Sequence, residues 1–218
     1  MDLIERLLEI DVSALSDADK SLPVVDPAVR AMLPDVRMAG PAFTVVAEDD
    51  HLPVMSALAE AGPGDVLVIA TNGGTCAVFG ELFATEARRR GLAGIVADGL
   101  CRDLRSLRQI GLPVFARATT PRSGTAVSRA GLGATIVCGG VELSPGDIVF
   151  GDDDGILIAT AERIAAALDT AELIGRGERA ILAAQARGEA LHGLTNYDEH
   201  VTTLDRGEAS VLAFQVDD

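Results

Sequence analysis

Residues 65–116, DVLVIATNGGTCAVFGELFATEARRRGLAGIVADGLCRDLRSLRQIGLPVFA, decide the fold. Asp65–Ala70 and Ala93–Ala97 are short, uninterrupted apolar runs, and Pro113–Ala116 is a third. Runs of this kind belong to strands covered on both faces. Between the first two, a Gly-rich loop at Asn72-Gly73-Gly74 precedes a helix predicted from near Gly80 to Gly91. Between the second and third, Asp98-Gly99 leaves the strand, and Asp103 stands where a helix cap would. That helix carries Leu104, Leu107 and Ile110 on one face and stops at Gly111. Strand–helix–strand–helix–strand with short connections requires parallel pairing through helical crossovers.

Working outward, Leu3, Ile4, Leu7 and Leu8 have helical spacing, so an amphipathic helix opens the chain. Ser16-Asp17-Ala18 reads as the start of a further short helical turn, followed by a stretch broken by Pro23, Pro27 and Pro34. Ala42–Ala47 is a strand, and Asp50 is placed to cap a helix running from His51 to about Ala61. On the other side, Thr135–Cys138, Ile148–Phe150 and Ile156–Ala159 are short strands. The last two form a hairpin around Asp152-Asp153-Asp154-Gly155. A long Ala-rich helix is predicted from about Ala161 to Arg187, with a break at Gly175–Gly177. Residues 1–188 read as one domain and 189–218 as a polar extension, in which Val211-Leu212-Ala213-Phe214 is apolar enough to dock.

Composition removes several classes of function. With 48% apolar residues the chain can build a core, and a net charge of −15 repels a nucleic-acid backbone, so no direct nucleic-acid partner is expected. No apolar run reaches a membrane span and MDLIERLLEI is no signal peptide, which predicts a cytoplasmic protein without a membrane partner. Cys76, Cys101 and Cys138 lack any C-x-x-C spacing, and His51, His192 and His200 include no H-E-x-x-H pair. The acidic turn at 152–154 lacks the alternating ligands of a calcium loop.

Chemistry concentrates at Gly80-Glu81-Leu82 and at Asp98-Gly99-Leu100-Cys101-Arg102-Asp103, which both lie at strand-to-helix transitions. Ligands of parallel sheets bind outside the carboxyl ends of strands, where helix amides are free, so the two segments are placed to meet. Each residue also has a plainer reading. Asp103 suits a helix cap, Arg102 a surface ion pair, and Glu81 a first-turn acid opposite the helix dipole. Cys101 suits a small residue filling a tight loop, and Arg122 lies in a loop from which it could assist an anionic substrate.

Six segments occur in an order that resembles the RraA-like family, over about Ser13 to Gly188. They are Gly40-Pro41-Ala42-Phe43-Thr44-Val45, Pro63-Gly64-Asp65-Val66-Leu67, Gly80-Glu81-Leu82, Asp98-Gly99 with Arg102-Asp103, Leu112–Ala116 and Pro145-Gly146-Asp147-Ile148. That family contains regulators of ribonuclease E and metal-dependent aldolases. Its enzymes carry an acidic residue, twenty intervening residues and then Arg-Asp. Here Glu81, residues 82–101 and Arg102-Asp103 keep that spacing, with Glu in place of Asp at the first position.

The resemblance implies a layered α/β fold of the swivelling type, an α-β-β-α sandwich, assembled as a homotrimer or hexamer. It implies a lyase dependent on Mg²⁺ or Mn²⁺ that cleaves 4-hydroxy-4-methyl-2-oxoglutarate or 4-carboxy-4-hydroxy-2-oxoadipate to pyruvate and a second oxo acid. Oxaloacetate decarboxylation is expected as a side activity. Asp103 would be the metal ligand. Arg102, with Gly80, Glu81, Leu82 and Phe83, would bind the anionic 2-oxo acid, and Glu81 would orient a water that carries protons. A neighbouring subunit's C-terminal helix would add an acid, for which Glu178 is the candidate ahead of Glu172. The alternative the family offers is a non-catalytic regulator whose partner is an endoribonuclease.

The residues themselves support metal over imine chemistry. Lys20 is the single lysine of the chain and lies in a polar N-terminal segment, a poor place for a Schiff base. A divalent cation can stabilise an enolate as a Lewis acid, and Mg²⁺ commonly needs only one or two carboxylates.

Overall fold

The computed structural model describes residues 2–129 and 131–215, so the last three residues of the predicted extension lie outside the described residues. Two short helices, α1 (Leu3–Leu7) and α2 (Val12–Ala18), lead to β1 (Arg30–Ala31) and the long strand β2 (Met38–Val46). Then follow α3 (Leu52–Glu60), β3 (Val66–Ala70), β4 (Ala77–Phe79), α4 (Glu81–Arg90), β5 (Gly94–Cys101), α5 (Leu104–Ile110) and β6 (Val114–Thr119). The ribbon β7 (Ile136–Cys138) and β8 (Val141–Leu143) precedes the hairpin β9 (Ile148–Asp152) and β10 (Gly155–Ala159). The long α6 (Ala161–Ala186), a 3-10 turn at Leu191–Leu194 and α7 (Tyr197–Asp205) complete the chain.

Strands join in the order β1-β6-β5-β3-β2-β9-β10, with β4 beside β5. The β2–β3, β3–β5 and β5–β6 pairs are parallel, as the crossovers demand. The sheet curls until its edges nearly meet. Val25 N–H donates to the Ile156 carbonyl at 3.0 Å, and Ile158 N–H to that of Pro23 at 3.2 Å, so the segment before β1 lies along β10.

Side-chain alternation explains the layering. Val66, Val68, Val96, Phe115, Val149 and Ile156 point into the curl, where they pack with Met38 and the β7–β8 ribbon. Their neighbours Leu67, Ile69, Ile95, Ala97 and Val114 point outward beneath Val54, Ala57, Ala84, Ala87 and Leu107 of α3, α4 and α5. Ile148, Phe150 and Leu157 face the opposite way, under Leu7, Leu15, Ile164 and Leu168 of α1, α2 and α6. A period of two in strands buried on both sides gives this double core. The molecule is thus an α/β structure with helices outside two β-layers.

Several local expectations need correction. Residues 16–18 end α2 rather than start a helix, because Asp11 already stands at its N-cap. The strand from Ala93 does not stop at Ala97: it continues to Cys101 through an irregular register between Ala97 and Leu100. α6 runs through Gly175 and Gly177 without a break. The apolar tail does not bury itself. Thr195 and Phe214 form a β-bridge, yet Val211, Leu212 and Phe214 stay exposed. Among the described residues no helix is long and apolar enough to cross a membrane.

Candidate active site

The site is built where β4 and β5 end. Gly80 is the N-cap of α4, and its neighbours are set by β5: Arg102 N–H donates to the Phe79 carbonyl at 3.1 Å. Asp103 then occupies the N-cap position of α5 with φ of 61°, in the left-handed region. A capping side chain needs extended backbone, and Asp103 makes no capping bond to its own helix. Its Oδ2 reaches instead to α4, where it accepts the Glu81 N–H at 3.1 Å. Asp is among the few residues that tolerate this conformation, at a cost of about 1–2 kcal/mol. The cap reading of Asp103 is therefore corrected by geometry: its carboxylate joins two helices.

Gly80 is required at this approach. A Cβ there would stand 2.4 Å from Asp103 Oδ2 and 2.8 Å from Arg102 Cγ. Arg102 Nε lies 3.4 Å from Asp103 Oδ2, with both side chains partly exposed. Glu81 Oε2 accepts the Ser106 hydroxyl at 2.9 Å, which ties α4 to α5 a second time. Together Gly80, Glu81, Leu82, Phe83, Arg102 and Asp103 line one cleft, with His51, Ala77, Val78, Phe79 and Ser123.

One expectation about this cleft changes. The Glu81 amide is not free for a substrate carboxylate, since Asp103 takes it; the Leu82 and Phe83 amides have no acceptor among the described residues. Glu178 and Glu172 lie elsewhere in the chain. Both sit on α6, which packs against α1 and α2, and Glu172 accepts Arg6 Nε at 2.7 Å. That bond to Arg6 holds the Glu172 carboxyl below its ordinary pKa. Arg122 contributes its backbone, as its carbonyl accepts the Ala77 N–H at 2.8 Å.

Cys101 is buried, and burial pushes its thiol up to about 11, so it is packing rather than nucleophile. Asp98 turns away from the cleft to pair with Arg117 Nε and to accept the Gly139 N–H at 2.8 Å.

His51 and Ser123 were not among the residues singled out from sequence. His51 carries no motif, and Ser123 arrives from a loop that only the fold brings back. The signal for both was indirect: Asp50, one residue before His51, accepts the Thr125 hydroxyl at 2.7 Å and the Val127 and Ser128 amides at 2.8 and 3.0 Å. One buried carboxylate thus pins the 121–128 loop beside the cleft.

Among the described residues no three His, Cys, Asp or Glu side chains gather as a metal cage. What the cleft offers a cation is the carboxylate of Asp103, whose Oδ1 accepts no hydrogen bond from the described residues, and that of Glu81, whose Oε1 likewise accepts none.

Known proteins share this architecture. A solved structure of an uncharacterized protein from Pseudomonas syringae pv. tomato superposes with a TM-score of 0.77 over 88% of this chain and 95% of its own, at 24% identity. The RNA-processing inhibitor RraA from Thermus thermophilis superposes with a TM-score of 0.64 at 27% identity, over 69% of this chain and 92% of that one. A protein of Halalkalibacterium halodurans named "Putative 4-hydroxy-4-methyl-2-oxoglutarate aldolase" is 36% identical over 160 residues, 72% of this chain and 76% of its own. The family model for RraA-like proteins, described as Aldolase/RraA, matches residues 12–158, which include the curled sheet up to but not including the last residue of β10 and the whole cleft. Sequence and fold agree on one conclusion: the chain belongs to the RraA-like family.

Proposed function

We propose that the cleft is the active site of a divalent-metal-dependent pyruvate aldolase, acting on a 4-hydroxy-2-oxo acid such as 4-hydroxy-4-methyl-2-oxoglutarate. The observation that carries this reading is the junction of Asp103, Arg102 and the α4 N-terminus around Gly80. It sets one open carboxylate oxygen, one guanidinium and two unpaired amides within a single small cleft.

A cation such as Mg²⁺ or Mn²⁺ fits this donor set, because it prefers oxygen and takes few protein carboxylates. Asp103 would hold it, and when bound it supplies Lewis-acid stabilisation of enolate charge. The chain's own residues do the rest. The Arg102 fork binds the pyruvyl carboxylate or the developing enolate oxygen and stays charged at any working pH. The Leu82 and Phe83 amides receive the substrate carboxylate at the positive end of α4. Glu81, fixed by Ser106, holds a water from which C3 of the enolate takes its proton. Decarboxylation of oxaloacetate leaves the same enolate and follows as a side reaction. Assembly as a trimer or hexamer would bring a neighbouring copy's α6, and with it Glu178, towards the cleft.

The test is pyruvate release, coupled to lactate dehydrogenase, with Mg²⁺ or with chelator. Chelation and Asp103→Ala are each expected to abolish it. Arg102→Ala should lower kcat/KM by about 10²–10³, the usual effect of losing one donor to a developing oxyanion. Normal turnover in either variant, or in chelator, removes the assignment. The second reading, a regulator like the Thermus protein, is favoured by the fold similarity alone. It predicts capture of an endoribonuclease and no pyruvate.

A further inference from the structure

His51 lines the cleft with Gly80–Phe83, Arg102, Asp103 and Ser123. It stands in the turn between β2 and α3. Its ring meets Phe83 edge-on, with centroids 5.9 Å apart and planes at 69°. The backbone beneath it is fixed: His51 N–H donates to the Thr125 carbonyl at 2.8 Å, and Asp50 accepts the Leu52 N–H at 2.9 Å. The imidazole is not the cap of α3, and neither ring nitrogen is hydrogen-bonded to any described residue. A ring that is positioned yet unpaired is poised for a ligand rather than for the scaffold.

The other groups around it are occupied or unsuited. Glu81 is tied to Ser106, and Asp103 is shared between the Glu81 amide and Arg102. Arg102 cannot accept a proton in this range. No lysine lines the cleft, and Lys20 pairs with Asp17. The Cys101 thiol is buried.

We propose that His51 is the base that removes the C4 hydroxyl proton of the substrate. This rests on the aldolase reading of the cleft. An imidazole nitrogen takes the hydroxyl proton, the C4 oxygen closes to a carbonyl, and the C3–C4 electron pair passes into the pyruvate enolate. The enolate takes one proton at C3 from water and the imidazolium returns one to water, so no further reactant is needed.

Oxaloacetate provides the discriminating comparison, because carbon dioxide leaves from a carboxylate that has no hydroxyl proton to remove. His51→Gln and His51→Ala are assayed beside the wild-type protein, with Mg²⁺, on 4-hydroxy-4-methyl-2-oxoglutarate and on oxaloacetate; Tm is measured for each. Expected is a fall in aldol-cleavage kcat of about 100-fold or more, within the usual range for a lost general base, while decarboxylation stays within about threefold. Equal loss on both substrates at an unchanged Tm, or full cleavage in either variant, overturns the role of His51. A wild-type protein inactive on both substrates overturns the aldolase reading itself, and the role of His51 falls with it. Wild-type activity on oxaloacetate alone overturns the aldolase reading and the role of His51 with it, and leaves a decarboxylase.

Discussion

Asp50 shows how one residue carries more than its sequence position suggests. Read as a helix cap, it does accept the Leu52 amide, but it also gathers three groups from a loop more than seventy positions away. Burial pushes its carboxyl up, yet the bonds from Val127, Thr125, Leu52 and Ser128 outweigh that and hold it well below the ordinary carboxylate range. A carboxyl depressed in the folded state contributes stability that is complete above its unfolded value, near 4, and is lost as pH falls towards the folded one. Asp50→Asn should therefore melt below wild type at pH 7, with the gap closing in acid below about pH 4. Thermal melts from pH 7 to pH 2.5 check this; parallel curves would show that the loop is held by something else. The same contrast governs the cleft. That Gly80-Glu81-Leu82 and Arg102-Asp103 meet was legible from their places at strand-to-helix transitions, whereas the roles given to Glu81, Arg102 and Asp103 came with the family resemblance. The αL turn that sends Asp103 to the next helix was not legible, because a cap and a bridge place the same letter at the same position. His51 was illegible for a simpler reason: its neighbours in the cleft are distant in sequence.

At the scale of elements, legibility followed length and burial. Strand β3 is buried on both faces over Val66–Ala70, so its apolar run announces it. Strand β4 has three residues and follows a loop of turn-formers, so nothing in its composition separates it from that loop. Glycines misled in α6. Gly175 and Gly177 lower helix propensity, but tertiary packing overrides it: Ala171, Ile181 and Ala184 on either side are buried and keep the helix in register. The penalty persists in the energy even though it is invisible in the shape. A Cβ on Gly177 would meet nothing within 4 Å. Gly177→Ala is thus expected to stabilise the protein by about 0.5–1 kcal/mol, raising Tm by roughly 1–4 °C for a chain of this size. A Tm that falls would mean the glycine serves a conformation other than a straight helix.

The whole molecule divides its stability unequally. Three cores, inside the curled sheet and on its two outer faces, draw their buried side chains from residues 7–171. That closure was not readable from sequence, since the segment that seals β10 to the other edge contains Pro23 and too few residues to register as a strand. The C-terminal extension adds a separate, minor cluster of Ile181, Ala184 and Leu194, while α7 buries nothing. Truncation after Gly188 removes Leu194 and uncovers its two partners, a loss of about 1.5–3 kcal/mol. At 2–4 °C per kcal/mol, Tm should drop by roughly 3–12 °C. Because the three cores draw no buried residue from beyond Ala171, the shortened chain should still unfold in one cooperative transition. Differential scanning calorimetry of both lengths measures this directly. A truncated chain that melts without cooperativity would show that the extension completes the fold, and that its small cluster understates what it covers.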